Sequence, residues 1–166
     1  MLNRCHKLCI IFVTSARGGS LDSGYMKQIR ERILSAKDGT IFASSDFADI
    51  ADSATVRQSL NRLVHAGILR CVLRGIFEKP KYCSDLNKFV AVNPDAVAKT
   101  LAHTYHWTIT PYGNAALYLL GLSDQRPTSW SYMSNGPYRT YEWDSIRIEF
   151  KHRTNKEFIG LSYPIL

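Results

Sequence analysis

Long apolar runs are missing from this chain of 166 residues. Its nearest approach, Leu8 to Val13, is far short of the roughly 20 residues that span a bilayer, so no membrane partner is expected. With Arg4 and Lys7 before it and Thr14, Ser15 and Ala16 after it, that run has the outline of a short signal peptide. Cysteine is scarce. The four present, Cys5, Cys9, Cys71 and Cys83, form no Cys-x-x-Cys pair, which argues against a disulfide scaffold or a zinc ribbon. A glycine-rich phosphate loop is lacking too, because Ala16-Arg-Gly-Gly-Ser has neither the lysine nor the following helix that the loop requires. Glu142, Asp144 and Glu149 make no acid/base pair, and no Ser/His/Asp or Cys/His set is evident. His103 and His106 are three apart, but no further ligands fall in register with them or with the distant His152. The expectation is a protein that is not an enzyme and that has no catalytic residue, metal or cofactor.

What the chain does have is basic charge in one place. The net charge is +7. Met26 to Tyr82 holds ten Lys/Arg against six Asp/Glu, whereas Cys83 to Leu166 holds eight against seven. A local basic excess is the electrostatic footprint of a nucleic-acid partner. Within the basic part, Ser53 to Phe77 organises the rest. Val56, Leu60, Leu63 and Val64 recur on one face at helical period, with Ser53 as N-cap and Gly67 at the left-handed C-terminal position. The opposite face carries Thr55, Arg57, Gln58, Asn61 and Arg62, donors suited to base edges and phosphates. Ile68 to Leu73 and Ile76 to Phe77 then read as two strands joined at Arg74-Gly75, with Arg70 and Arg74, flanking or on the turn, as further candidate DNA contacts. Helix followed by basic hairpin is the plan of a winged helix-turn-helix.

The flanking elements agree with that plan. Met26 to Ala36 is a helix with Met26, Ile29, Ile33 and Leu34 as its apolar stripe. Thr40 to Ala43 is a short strand. A second helix follows, capped by Ser44 or Ser45, with Phe47 and Ile50 turned inward. Residues 1–25 read as a flexible extension upstream of a start at Met26, and residues 26–82 as the winged helix-turn-helix domain. Pro80 to Leu86 reads as a polar linker. Residues 83–166 then form a small α+β domain with antiparallel strands, cut short at its end. Its helix starts at Asn93-Pro94 and faces Val97, Ala98 and Leu101 inward. Asn114 to Leu120 is another helix. Thr128 to Met133, Tyr138 to Trp143 and Ile146 to Lys151 are strands, the last alternating Ile146, Ile148 and Phe150 with charged residues. Aromatics crowd this half and are expected in its core. Cys71 reads as a buried thiol in a reducing compartment, which fits the cytoplasm.

Three segments carry a family resemblance: Thr108-Ile-Thr-Pro-Tyr-Gly-Asn-Ala-Ala-Leu, Leu120-Gly-Leu-Ser-Asp-Gln-Arg-Pro and Ser134-Asn-Gly-Pro-Tyr-Arg, behind the winged helix. Together they resemble the AbiEi-type antitoxins of type IV toxin–antitoxin systems over about Met26 to Leu161. The resemblance implies a repressor that binds its own promoter as double-stranded DNA. It implies a second domain tied to neutralising a nucleotidyltransferase-like toxin, the cognate partner. DNA contact would fall to Arg57, Gln58, Asn61, Arg62 and Arg74. Repeated operators would seat a homo-oligomer on neighbouring half-sites. The rival reading is a protein-interaction module that holds a toxin and has lost DNA. Pairing of Arg57, Arg62 or Arg74 with Asp46, Asp49 or Asp52 would favour it.

Overall fold

The computed structural model describes residues 24–153. The expectations for the first 23 residues and for the C-terminal end lie outside that range. The chain divides into two compact units between Asn93 and Pro94.

In the first unit, α1 (Gly24–Ser35) buries Met26, Ile29 and Ile33 at helical spacing. Leu34, expected in that stripe, is 49% exposed, because one residue past Ile33 turns it about 100° off the buried face. Lys79 closes the helix from a distant strand. Its ammonium donates to the carbonyls of Leu34 and Ala36 at 3.0 and 2.7 Å and pairs with Asp38 at 3.1 Å. A cation there satisfies carbonyls that have no partner within the helix. β1 (Ile41–Ala43) is buried throughout.

The expected second helix is a single 3₁₀ turn, Ser44–Phe47. Neither serine caps it. The Asp46 carboxylate reaches back to accept from the Ala43 N–H at 2.8 Å, while the Ser44 hydroxyl donates to the Gly75 carbonyl at 3.3 Å. The turn's purpose in packing is Phe47, which is fully buried.

α2 (Ser53–His65) begins one residue earlier than expected in its cap. Asp52, not Ser53, accepts from the N–H groups of Ala54 and Thr55 at 3.0 and 3.2 Å. Val56, Leu60 and Leu63 are buried against Ile29, Ile33, Phe42, Phe47 and Phe77. Each such side chain contributes about 1.5–3 kcal/mol on burial. Gly67 takes the left-handed conformation, φ +74°, as the sequence requires.

β2 (Arg70–Leu73) and β3 (Ile76–Glu78) form the hairpin, and β3 lies between β1 and β2 in a three-stranded antiparallel sheet. The turn depends on Gly75, at φ +82°. The register slips between Cys71 and Leu73, a bulge that leaves Val72 without an opposite residue. The supposed linker is partly ordered. β4 (Tyr82–Cys83) and β5 (Lys88–Phe89) make a small hairpin, with the Tyr82 and Phe89 rings edge to face at 5.3 Å.

The second unit begins at Pro94 with α3 (Pro94–Tyr105), whose Val97, Ala98, Leu101 and Ala102 are buried. β6 (Ile109–Tyr112), α4 (Asn114–Leu119), β7 (Ser129–Ser134), β8 (Arg139–Trp143) and β9 (Ile146–His152) follow. The sheet order is β6-β7-β9-β8. The expected antiparallel strands are present in the β6–β7 and β8–β9 pairs, and one pair in the sheet is parallel. β9 inserts between β7 and β8, antiparallel to β8 and therefore parallel to β7. Trp130 and Tyr132 of β7, Ile148 and Phe150 of β9 and Trp143 of β8 are buried. The segment Ser134 to Pro137 is fixed by side chains. Ser134 Oγ accepts from the Gly136 N–H at 3.0 Å, Asn135 Oδ1 accepts from the Thr108 N–H at 2.9 Å, and the His152 ring meets the Gly136 carbonyl at 2.9 Å. Gly136 lies flat on the Trp107 indole. A β-carbon there would fall 2.4 Å from the ring, so only glycine fits. No helix among the described residues is long and apolar enough to cross a membrane.

Candidate nucleic-acid interface

α2 presents Arg57, Gln58, Asn61 and Arg62 to solvent, opposite Val56, Leu60 and Leu63. Positions i, i+1, i+4 and i+5 share one helical face. His65 extends that row by one turn and is also exposed. It was missed in the sequence, although it stands four residues from Asn61 and three from Arg62. At the start of the helix the exposed residues are Ser53 and Ala54, small enough to let a partner approach the backbone closely.

The acids just before α2 are all engaged elsewhere. Asp46 holds the Ala43 N–H. Asp49 takes two hydrogen bonds from Arg32, at 2.8 and 2.6 Å, and these hold its carboxyl below the ordinary range. Asp52 caps the helix and accepts from the Thr55 hydroxyl at 2.6 Å, which likewise lowers its carboxyl pKa. Among the described residues, none of Arg57, Arg62 and Arg74 is within ion-pair distance of an acid. Arg74 is exposed at the tip of the β2–β3 hairpin.

Two of the expected contact residues are otherwise occupied. Thr55 is half-buried and its hydroxyl completes the cap on Asp52, so it belongs to the helix end. Arg70 folds back onto the buried Glu78. Its Nε donates to Glu78 Oε2 at 2.8 Å, and its Nη2 donates both to that oxygen and, at 3.1 Å, to the Val90 carbonyl. Burial raises the Glu78 carboxyl pKa, and Arg70 opposes that rise. The guanidinium is therefore committed to a buried carboxyl group. The exposed set is Arg57, Gln58, Asn61, Arg62 and Arg74.

The other residues weighed in the sequence are dispersed. His103 lies in the last turn of α3, and His106 sits past its end at φ +55°. Among the described residues no group of three His, Cys, Asp or Glu is placed to hold a metal ion. Glu142 and Glu149 both pair with Arg147, at 3.2 and 3.0 Å, and Asp144 occupies the β8–β9 turn. Cys71 and Cys83 are half-buried thiols outside any disulfide. Of the aromatics, Trp130, Tyr132 and Trp143 are core, whereas Tyr105, Tyr112 and Tyr138 are exposed. The Tyr132 hydroxyl donates to Asp95 at 3.0 Å, and burial together with that carboxylate raises its pKa.

Fold and site together define a two-unit α+β protein with a solvent-facing basic helix in its first unit. The chain belongs to a family of unknown function, DUF6088, which it matches over residues 28–161. No curated protein and no solved structure matches it.

Proposed function

We propose that the chain is a sequence-specific DNA-binding transcriptional repressor, with a winged helix-turn-helix in its first unit. One observation carries this reading. Four donors stand in a row on α2, and every acid close before the helix is turned to another task. α2 lies in the major groove, which is about 12 Å wide and admits a helix. Arg57, Gln58, Asn61 and Arg62 read base edges or grip phosphate, and Arg74 on the wing takes the neighbouring backbone. Two copies bind adjacent half-sites and occlude a promoter in the cytoplasm.

The resemblance to AbiEi-type antitoxins extends the proposal. The promoter is the chain's own, and the second unit serves in neutralising a nucleotidyltransferase-like toxin encoded beside it. Rescue of growth on co-expression with that neighbour tests the extension.

The DNA reading is tested by titrating the protein against its own upstream duplex and a scrambled one at two salt concentrations. Preference for its own duplex, with affinity falling steeply as salt rises, is expected. Equal and weak binding to both refutes specific recognition and favours the protein-interaction module.

A further inference from the structure

The solvent side of α2 has a centre and two flanks. With about 100° of rotation per residue, the buried Val56, Ser59, Leu60 and Leu63 fix the direction of the core, and the opposite direction is the apex of the exposed side. Gln58 and Asn61 stand within about 30° of that apex, whereas Arg57 and Arg62 stand about 70° from it, one to each side. The four donors therefore separate by chemistry as well as by angle, with amides in the centre and guanidinium groups on the flanks. Ala54, one turn before Gln58 at the apex, adds only a methyl group. His65 is also at the apex, but in the last turn.

A helix with its side chains is about 10–12 Å across and the major groove is about 12 Å wide. A helix seated there meets base edges with its apex and a phosphate backbone with each flank. The N-terminal residues of a recognition helix make the base contacts, and the small Ala54 lets that end approach the groove floor. His65 lies beyond them. A carboxamide donates through its NH2 and accepts through its oxygen. Adenine alone offers the match in the major groove, an N7 acceptor beside an N6 donor. Guanine presents two acceptors, which suit arginine, and cytosine presents a donor, which suits a carboxylate. The apex of α2 carries no arginine, and the helix carries no acid. Gln58 and Asn61 are three residues apart, about 4.5 Å along the helix against about 3.4 Å per base pair, so they reach adjacent or alternate pairs.

We propose that Gln58 and Asn61 select adenines, two in each half-site, while Arg57 and Arg62 hold the phosphate backbones on the two walls of the groove. The proposal rests on DNA binding by the first unit, and it adds which base is read and by which residues.

The test is selection from a library of random duplexes on the full chain. Affinities for the recovered site and for a scrambled duplex are then measured at two salt concentrations. The recovered site is expected to carry two adenines on adjacent or alternate base pairs. Gln58→Ala and Asn61→Ala should each relax the preference at one of them and weaken the recovered site by about tenfold, and the scrambled duplex by less. Gln58→Arg should turn its position from adenine to guanine, a gain that misfolding cannot produce. Arg57→Ala and Arg62→Ala should weaken both duplexes alike, lower the salt slope by about one each and leave the recovered bases as they are. A site dominated by guanine, whose preference is lost with Arg57→Ala or Arg62→Ala, overturns the proposal and leaves DNA binding standing. So does a site whose bases are indifferent to both Gln58→Ala and Asn61→Ala. Recovery of no preferred sequence overturns specific DNA binding itself, and the proposal with it.

Discussion

The two units treat their charges in opposite ways. In the second, acids and bases are mixed on the wet face of the sheet, where Arg147 sits between Glu142 and Glu149. In the first, those around α2 are sorted. Asp46, Asp49 and Asp52 are held at the ends of elements or by Arg32, Glu78 is buried with Arg70, and the α2 face holds bases and amides alone. Mixed charges cancel within a Debye length, about 8–10 Å at physiological salt, whereas sorted charges leave a field that a polyanion can sense. Sorting by local structure therefore shapes the field at α2 more than the net charge of either half does.

The comparison is broken most severely at Arg70. Arg70→Ala leaves Glu78 buried without a counter-ion, a change that typically costs about 3–5 kcal/mol. It should lower the urea midpoint of the first unit at neutral pH. The effect has a definite pH dependence. Burial raises the folded-state pKa of Glu78 above its ordinary value, so the folded state binds that proton more tightly than the unfolded state does. The group's favourable contribution is present below the unfolded pKa and is lost as pH rises through the folded pKa. Removing Arg70 raises that pKa further. The penalty should thus be largest at neutral pH and shrink on acidification, and a penalty that grows on acidification would contradict the assignment.

The next largest effect sharpens the comparison. Arg57→Ala and Arg62→Ala should each weaken binding to the chain's own upstream DNA, by about 1–3 kcal/mol where the lost contact is to a base. Glu142→Ala, on the mixed surface, should leave binding unchanged. Fluorescence anisotropy on the three variants decides the matter, and equal affinities would remove α2 from the interface.

Much of this contrast was legible in the sequence, because periodicity is local. The buried and solvent faces of α2, the Arg74-Gly75 turn and the alternation of β9 follow from residue spacing alone. The pairing of Arg70 with Glu78 is not legible, because a cross-strand neighbour depends on register. A regular two-residue hairpin would set Arg70 opposite Lys79, and like charges would have sent it to solvent. The bulge at Val72 sets it opposite Glu78. The 3₁₀ turn was missed because Ser44, Ser45 and Asp46 are all capable caps, and the choice among them is made by the distant Gly75 and by burial of Phe47. The parallel β7–β9 pair was invisible because strand order in a sheet is not a local property.

Asp52 ranks third. Its folded-state pKa is depressed, first by the Thr55 hydroxyl, so its contribution is present above the unfolded pKa and is lost as pH falls through the folded value. Asp52→Ala should lower α2 helicity and weaken DNA binding together, seen by circular dichroism and anisotropy. Asp52→Asn should keep the cap and lose the acid-side pH dependence.

Arg147→Ala should have the smallest effect, and for that reason it tests the contrast most directly. Arg147 touches two carboxylates, and a bare count of pairs would give it twice the stabilisation of one. Yet its side chain is 53% exposed, and solvent screens both attractions while the long side chain loses freedom in being held. Exposed pairs of this kind typically contribute about 0–1 kcal/mol. Its loss also leaves Glu142 and Glu149 as like charges on adjacent strands, free to turn into water. A shift in thermal midpoint comparable to that of Arg70→Ala would mean that the second unit depends on its charges as the first does. A negligible shift would establish that the mixed surface holds charge without relying on it.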